Sequence, residues 1–167
     1  SRSKFAAEEL VRSAELDAIV LRVALVYGKK IEHLEGFMAW LRKGLSADGV
    51  RLFLDEFRTP VSTLDIGEAV IRLIQASERG SESGAGPSRL FHIAGPDRVS
   101  RVELGELVAK TFNLPTTKIE PCLRADAPSP IPRPHDISLN SKKIELAHGV
   151  RCRSLADGLR ELNSHSA

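Results

Sequence analysis

Four side chains stand where their type and setting could do chemistry. Lys4 lies in a helix-like opening stretch, Tyr27 closes an apolar run just before Gly28, and Arg58 and Arg133 sit in polar loops between apolar segments. A guanidinium is a planar, permanently charged fork that suits phosphate or carboxylate oxygens. The same fork pairs readily with an acid, and Glu56 and Asp136 are close by in sequence. Tyr27 has a polar tip at the carboxyl end of a strand, where ligands bind in α/β sheets, although most residues of such a strand are core. Lys4 taken alone is an ordinary solvated charge. Phe37 and Trp40 share a helical stripe that reads as core before it reads as a stacking platform. Asp65 reads as a helix cap.

Composition narrows the classes. The 167 residues are 42% hydrophobic and 28% charged, as in ordinary globular chains. That length can bury roughly 70% of the unfolded surface in one core. A net charge of +2 with no concentrated basic patch argues against nucleic acid. Arg151-Cys152-Arg153 is the densest basic cluster and reads as a solvated helix entrance. Two cysteines, Cys122 and Cys152, make no disulfide framework, and the five histidines lack helical ligand spacing, so no metal is expected. No apolar run is long enough to cross a membrane, and the expected location is the cytoplasm.

The elements that must position these residues follow from periodicity. Phe5, Ala6, Leu10 and Val11 predict a helix over 2–16, and Ala18 to Val23 a strand buried on both faces. Phe37 to Leu45 predicts a helix, Val50 to Leu54 a strand, and Asp65 to Ile74 a helix. Residues 79–88 read as a Gly- and Ser-rich loop. Leu90 to Ala94 predicts a strand, and Ser100 to Glu103 a capping box that opens a helix to about Phe112. Prolines keep 115–134 extended around one short strand near Lys118 to Pro121. Two last helices follow over 141–147 and 155–162, the second capped by Ser154. Three or four strands alternating with helices predict an α/β protein with a thin parallel sheet and exposed edges. The chain opens on helix already under way with no Met at position 1. The expectation is that further chain lies upstream.

Five segments, in order, resemble the extended short-chain dehydrogenase/reductase family, and most nearly its dTDP-4-dehydrorhamnose reductase branch. They are Ser3-Lys4 with Ala7-Glu8, Leu21 to Gly28, Arg58-Thr59-Pro60-Val61 before Asp65-Ile66, Phe91 to Pro96 before Val102-Glu103-Leu104, and Arg133 to Asp136 with Leu139 to Lys143. The resemblance implies the carboxyl-terminal portion of a Rossmann-type doubly wound sheet with a small substrate-binding part, the dinucleotide-binding half lying elsewhere. On this reading 1–48 and 89–113 are the sheet layer, and 49–88 and 114–167 are the substrate-binding part.

The resemblance also assigns roles. Members carry a Tyr-x-x-x-Lys pair on one helix turn, where the lysine favours the phenolate of the proton-relaying tyrosine. Lys4 matches the lysine as catalytic and cofactor-binding residue, while the tyrosine would fall immediately before Ser1. Val23 and Val26 would border the nicotinamide, and Tyr27 and Phe37 the substrate. Arg58 and Arg133 would hold the diphosphate of a nucleotide-sugar. The implied cofactor is NAD(P), not expected to bind this chain alone, because no glycine-rich phosphate loop is present. The chain is therefore expected to be inactive alone. Two alternatives stay open. One is a non-catalytic partner-binding subunit like the regulatory subunit of methionine adenosyltransferase, using an exposed sheet edge for a partner or a second copy. The other is part of a nucleotide-sugar epimerase or dehydratase.

Overall fold

The computed structural model describes residues 2–14, 18–28, 36–78, 89–127 and 134–164. In its first half it forms α1 (Arg2–Ser13), β1 (Val20–Val23), β2 (Val26–Tyr27), α2 (Phe37–Ser46), β3 (Val50–Phe53), β4 (Phe57–Arg58), β5 (Val61–Ser62) and α3 (Thr63–Glu78). Then come β6 (Leu90–Ile93), β7 (Val99–Ser100), α4 (Arg101–Thr111), β8 (Ile119–Cys122), α5 (Lys142–His148) and α6 (Leu155–Ser164). The architecture is α/β. Among the described residues the strands form four two-stranded ladders: β1 with β6, β2 with β5 and β3 with β8 run parallel, while β4 with β7 is antiparallel. Long crossovers join each parallel pair, as parallel pairing demands.

Local chemistry sets the boundaries. Ser100 caps α4 through the predicted capping box, its hydroxyl accepting from the Glu103 amide at 3.1 Å while the Glu103 carboxylate accepts from the Ser100 amide at 2.6 Å. Gly149 ends α5 in the left-handed conformation, φ 64°, a backbone state that glycine adopts without steric cost. At α6 the Asp157 amide donates to the Ser154 hydroxyl, and the Leu155 amide donates to Asp97, a partner from far along the chain.

Side chains gather into two apolar clusters. Met38, Leu41 and Leu45, on one face of α2, pack with Val50 and Leu52 of β3, Val102, Leu104 and Val108 of α4, and Leu155 and Leu159 of α6. The second cluster joins Ala69 and Leu73 of α3 to Phe91 and Ile93 of β6, Val61 and Ile144. Both clusters draw on segments far apart in the chain. The first seats α2, from 1–48, and α4, from 89–113, against β3 of 49–88 and α6 of 114–167. The second seats α3 of 49–88 on β6 of 89–113.

One expectation is corrected. Asp65 does not cap a helix: α3 starts at Thr63, and Asp65 in its first turn is 2% exposed. It accepts instead from Arg153 Nε at 2.7 Å and from the Arg153 amide at 3.2 Å. Arg153 also pairs with Glu161, so the basic cluster at 151–153 is an internal clamp as well as a helix entrance. Tyr27, which the resemblance places beside the substrate, is buried in this structure. It is 3% exposed in the first cluster, and its hydroxyl sits so close to Gly158 of α6 that a Cβ there would clash. Burial raises the Tyr27 phenol well above its ordinary value, nearby Asp65 adds to the rise, and Arg153 opposes it.

Two measurements follow from this packing. Asp65→Ala leaves the Arg153 amide and Nε without their acceptor, although Glu161 still pairs with the guanidinium, and should cost about 2 kcal/mol in urea unfolding. Tyr27 is the only tyrosine, so absorbance near 295 nm reports it alone. Its folded pKa lies above its unfolded one, so the stability it contributes is complete below the ordinary value of 10.0 and is lost as pH rises beyond it. Phenolate should therefore appear together with alkaline unfolding, not as a separate step near pH 10.

Candidate functional site

The loop that leaves β3 is polar, yet the fold buries it. Glu56 is 3% exposed, and its Oε1 accepts from Arg58 Nη2 at 2.7 Å and from Arg101 Nε at 2.8 Å. The Arg101 amide donates to the Glu56 carbonyl at 3.1 Å, so the start of α4 is tied to this loop through backbone and side chain together. Two guanidiniums thus share one carboxylate, leaving one positive charge in excess. Burial lowers the pKa of Arg58, Arg101 lowers it further, and Glu56 acts in the opposite direction. Among the described residues Glu56 Oε2 and Arg101 Nη1 are buried without a hydrogen-bond partner.

Aromatic rings continue from this cluster. The Arg101 guanidinium lies over the Phe37 ring at 4.7 Å, a cation–π distance, and the Phe37 and Trp40 rings are 5.7 Å apart with a 35° tilt. Phe37 is half-buried, whereas Trp40 is 48% exposed, so Trp40 does not enter the core as its stripe suggested. Below the loop, Arg98 pairs with Asp136 at 2.8 Å and stacks over Phe57 at 3.7 Å. Hydrogen bonds from Ser138, then Arg98, hold the Asp136 carboxyl down to about 2.

Each site residue expected from sequence has a distinct outcome. Arg58 is 6% exposed, with Nη2 on Glu56 and Nη1 on the Phe57 carbonyl at 2.6 Å, so it stands as a buried structural cation. Arg133 lies outside the described residues. Its neighbour Asp136 takes Arg98 as partner. Lys4 is exposed on α1, a helix that buries none of its residues. That helix is tied to β1 by Glu8, whose two carboxylate oxygens accept from Arg22 Nε at 3.0 Å and Nη2 at 2.8 Å. Lys4 lies one turn before Glu8, on the face that meets β1. Val23 and Val26 are 39% and 41% exposed at the carboxyl end of β1 and the start of β2. Lys4 is thus an exposed cation and Val23 and Val26 are part-exposed apolar side chains, and no described loop is glycine-rich.

Sequence reasoning missed Arg101 and Arg153. Arg101 was visible only as the second residue of the capping box, and nothing local marks it as the partner of a carboxylate 45 residues away. Among the described residues no three His, Cys, Asp or Glu side chains group as metal ligands. No described helix is long and apolar enough to cross a membrane. Glu56→Ala removes the shared carboxylate and leaves two guanidiniums facing each other. It should lower the urea midpoint by an amount worth about 3 kcal/mol, with Glu56→Gln losing less.

Comparison with known proteins agrees with this architecture. A probable low-salt glycan biosynthesis reductase of Haloferax volcanii is 31% identical over 166 residues, covering 98% of this chain and 52% of that protein. The dTDP-4-dehydrorhamnose reductase of Mycobacterium tuberculosis is 30% identical over 152 residues, covering 88% of this chain and 45% of the other. The chain thus spans about half the length of the curated relatives it matches. The crystal structure of a dTDP-4-dehydrorhamnose reductase from Clostridium acetobutylicum superimposes with a TM-score of 0.81 at 22% identity, covering 99% of this chain and 54% of that one. The Bacillus anthracis reductase, solved in complex with NADP, gives 0.80 at 17% identity, covering 99% and 54%. At these identities the structures establish the fold. The model of the RmlD substrate binding domain matches residues 1–167, and the chain belongs to that family.

Proposed function

We propose that this chain is the nucleotide-sugar-binding part of an NAD(P)-dependent oxidoreductase like dTDP-4-dehydrorhamnose reductase, and that it does not turn over by itself. The observation that carries this reading is the match of a substrate-binding family model to the whole of the chain. Reductase chemistry is favoured over that of an epimerase or dehydratase because the curated relatives at 27–31% identity include several reductases. A nicotinamide cofactor, when bound, supplies the hydride that reduces the sugar ketone.

The residues of this chain hold and orient. Lys4, exposed on the helix that Glu8 ties to β1, is proposed from the family resemblance as the cation beside the nicotinamide ribose. Val23 and Val26 give that ring an apolar border. The Arg58–Glu56–Arg101 cluster supplies positive charge for the diphosphate, and Phe37 lies next to it. Arg133 is kept as a second diphosphate ligand on the strength of the family resemblance. This sequence carries no Gly-x-x-Gly-x-x-Gly phosphate loop, which is the ground for proposing that this polypeptide alone does not turn over.

A second reading, a partner-binding subunit, rests on exposed apolar surface. Phe5 and Leu10 of α1 are 62% and 70% exposed, as are Leu64, Ile71 and Ile74 of α3 at 55%, 57% and 54%. Patches of this kind mark contact with another polypeptide or a second copy.

Two assays on the purified chain separate the readings. Calorimetry should detect dTDP binding, while NADPH absorbance should stay constant with dTDP-4-dehydrorhamnose present. Measurable NADPH oxidation overturns the claim of inactivity. Absence of dTDP binding, together with a stoichiometric protein partner, favours the second reading.

A further inference from the structure

The geometry points to Arg101, Phe37 and Trp40 as the seat of a nucleoside diphosphate, with the base stacked on the exposed Trp40 ring and the diphosphate drawn to the largely buried Arg101 guanidinium beside it. The inference rests on the nucleotide-sugar reading and moves the anion contact from Arg58, which is spent inside the fold, to an arginine at the start of α4.

Four observations support it. Arg101 is held in one pose, with Nε on Glu56 at 2.8 Å and the guanidinium plane on Phe37 at 4.7 Å. A pre-positioned guanidinium loses little freedom on binding an anion. Among the described residues its buried Nη1 has no hydrogen-bond partner, nor has the Glu56 Oε2 of the same cluster, and an unpaired buried donor is costly until an acceptor reaches it. Glu56 is shared with Arg58, so it cannot neutralise both cations, and the excess positive charge favours an anionic ligand. Finally, Trp40 leaves half of its surface to solvent while leaning on Phe37, which gives a flat apolar face on the same ladder of rings as the cation. Stacking on such a face tolerates any base, while the charged edge selects for phosphate.

Trp40 is the only tryptophan, so its emission reads the proposed seat directly. Titrating the full chain with dTDP should quench Trp40 saturably, with the midpoint matching calorimetry. Arg101→Lys, which keeps the charge but loses the planar fork, should weaken dTDP about tenfold. Trp40→Ala, followed by calorimetry, should also weaken it about tenfold, and Trp40→Phe should restore affinity to within about twofold. All three variants must first show wild-type circular dichroism and urea midpoints. Wild-type dTDP affinity in Arg101→Lys and Trp40→Ala, with Trp40 emission unmoved by saturating dTDP, overturns this seat and leaves the nucleotide-sugar reading standing. No dTDP binding by the wild-type chain overturns both.

Discussion

One buried carboxylate shared by two guanidiniums sets the arrangement around the site. Glu56 cannot be taken out of water cheaply, and the fold accepts it only because Arg58 and Arg101 both donate to it. That single requirement fixes three things together: the path of the chain after β3, the β4–β7 pairing, and the direction in which α4 leaves its cap. Arg101 then carries the arrangement outward, since its plane lies on Phe37 and Phe37 leans on Trp40. A cluster of this kind contributes less to net stability than its short distances suggest. What it supplies is position, because each member is costly to leave unpaired.

Asp65 plays a parallel part in the other half of the molecule. It is buried in the first turn of α3 and holds the chain entering α6 through the Arg153 amide and guanidinium. The two apolar clusters are thereby linked through polar contacts as well as packing, since Tyr27 of the first senses Asp65 beside the second. By contrast α1, with no buried residue, depends on the Glu8–Arg22 pair, and it is the element that carries Lys4. The most exposed helix therefore carries the residue most directly tied to catalysis by resemblance.

Much of the fold was legible in the sequence. The runs at 18–23, 50–54 and 90–94 are strands within two residues, but β1 is not buried on both faces as its apolar run suggested: Val20 and Leu21 are half-buried, and Arg22 and Val23 are exposed. The α4 capping box was readable because all its partners lie within three residues. The short pairs β2–β5 and β4–β7 were not readable, since two-residue strands carry no periodicity. Trp40 and Tyr27 each took the opposite environment from the one the sequence suggested or allowed. Helical spacing shows which residues share a face, not how far a neighbouring helix covers it. A strand's carboxyl end is a ligand position only where no helix, here α6 with Gly158, closes over it.

The sequence by itself determined the α/β class, the element order and the family resemblance, because those signals are local or repeat along the whole chain. It also supplied the types of the charged residues, but not their partners. Only the tertiary structure decided that Asp65 clamps Arg153 at 88 residues' separation and that Glu56 gathers Arg101 at 45. Burial makes those pairings compulsory: a charge removed from water must find its counter-charge wherever the fold has placed one, and sequence distance is no guide to where that is.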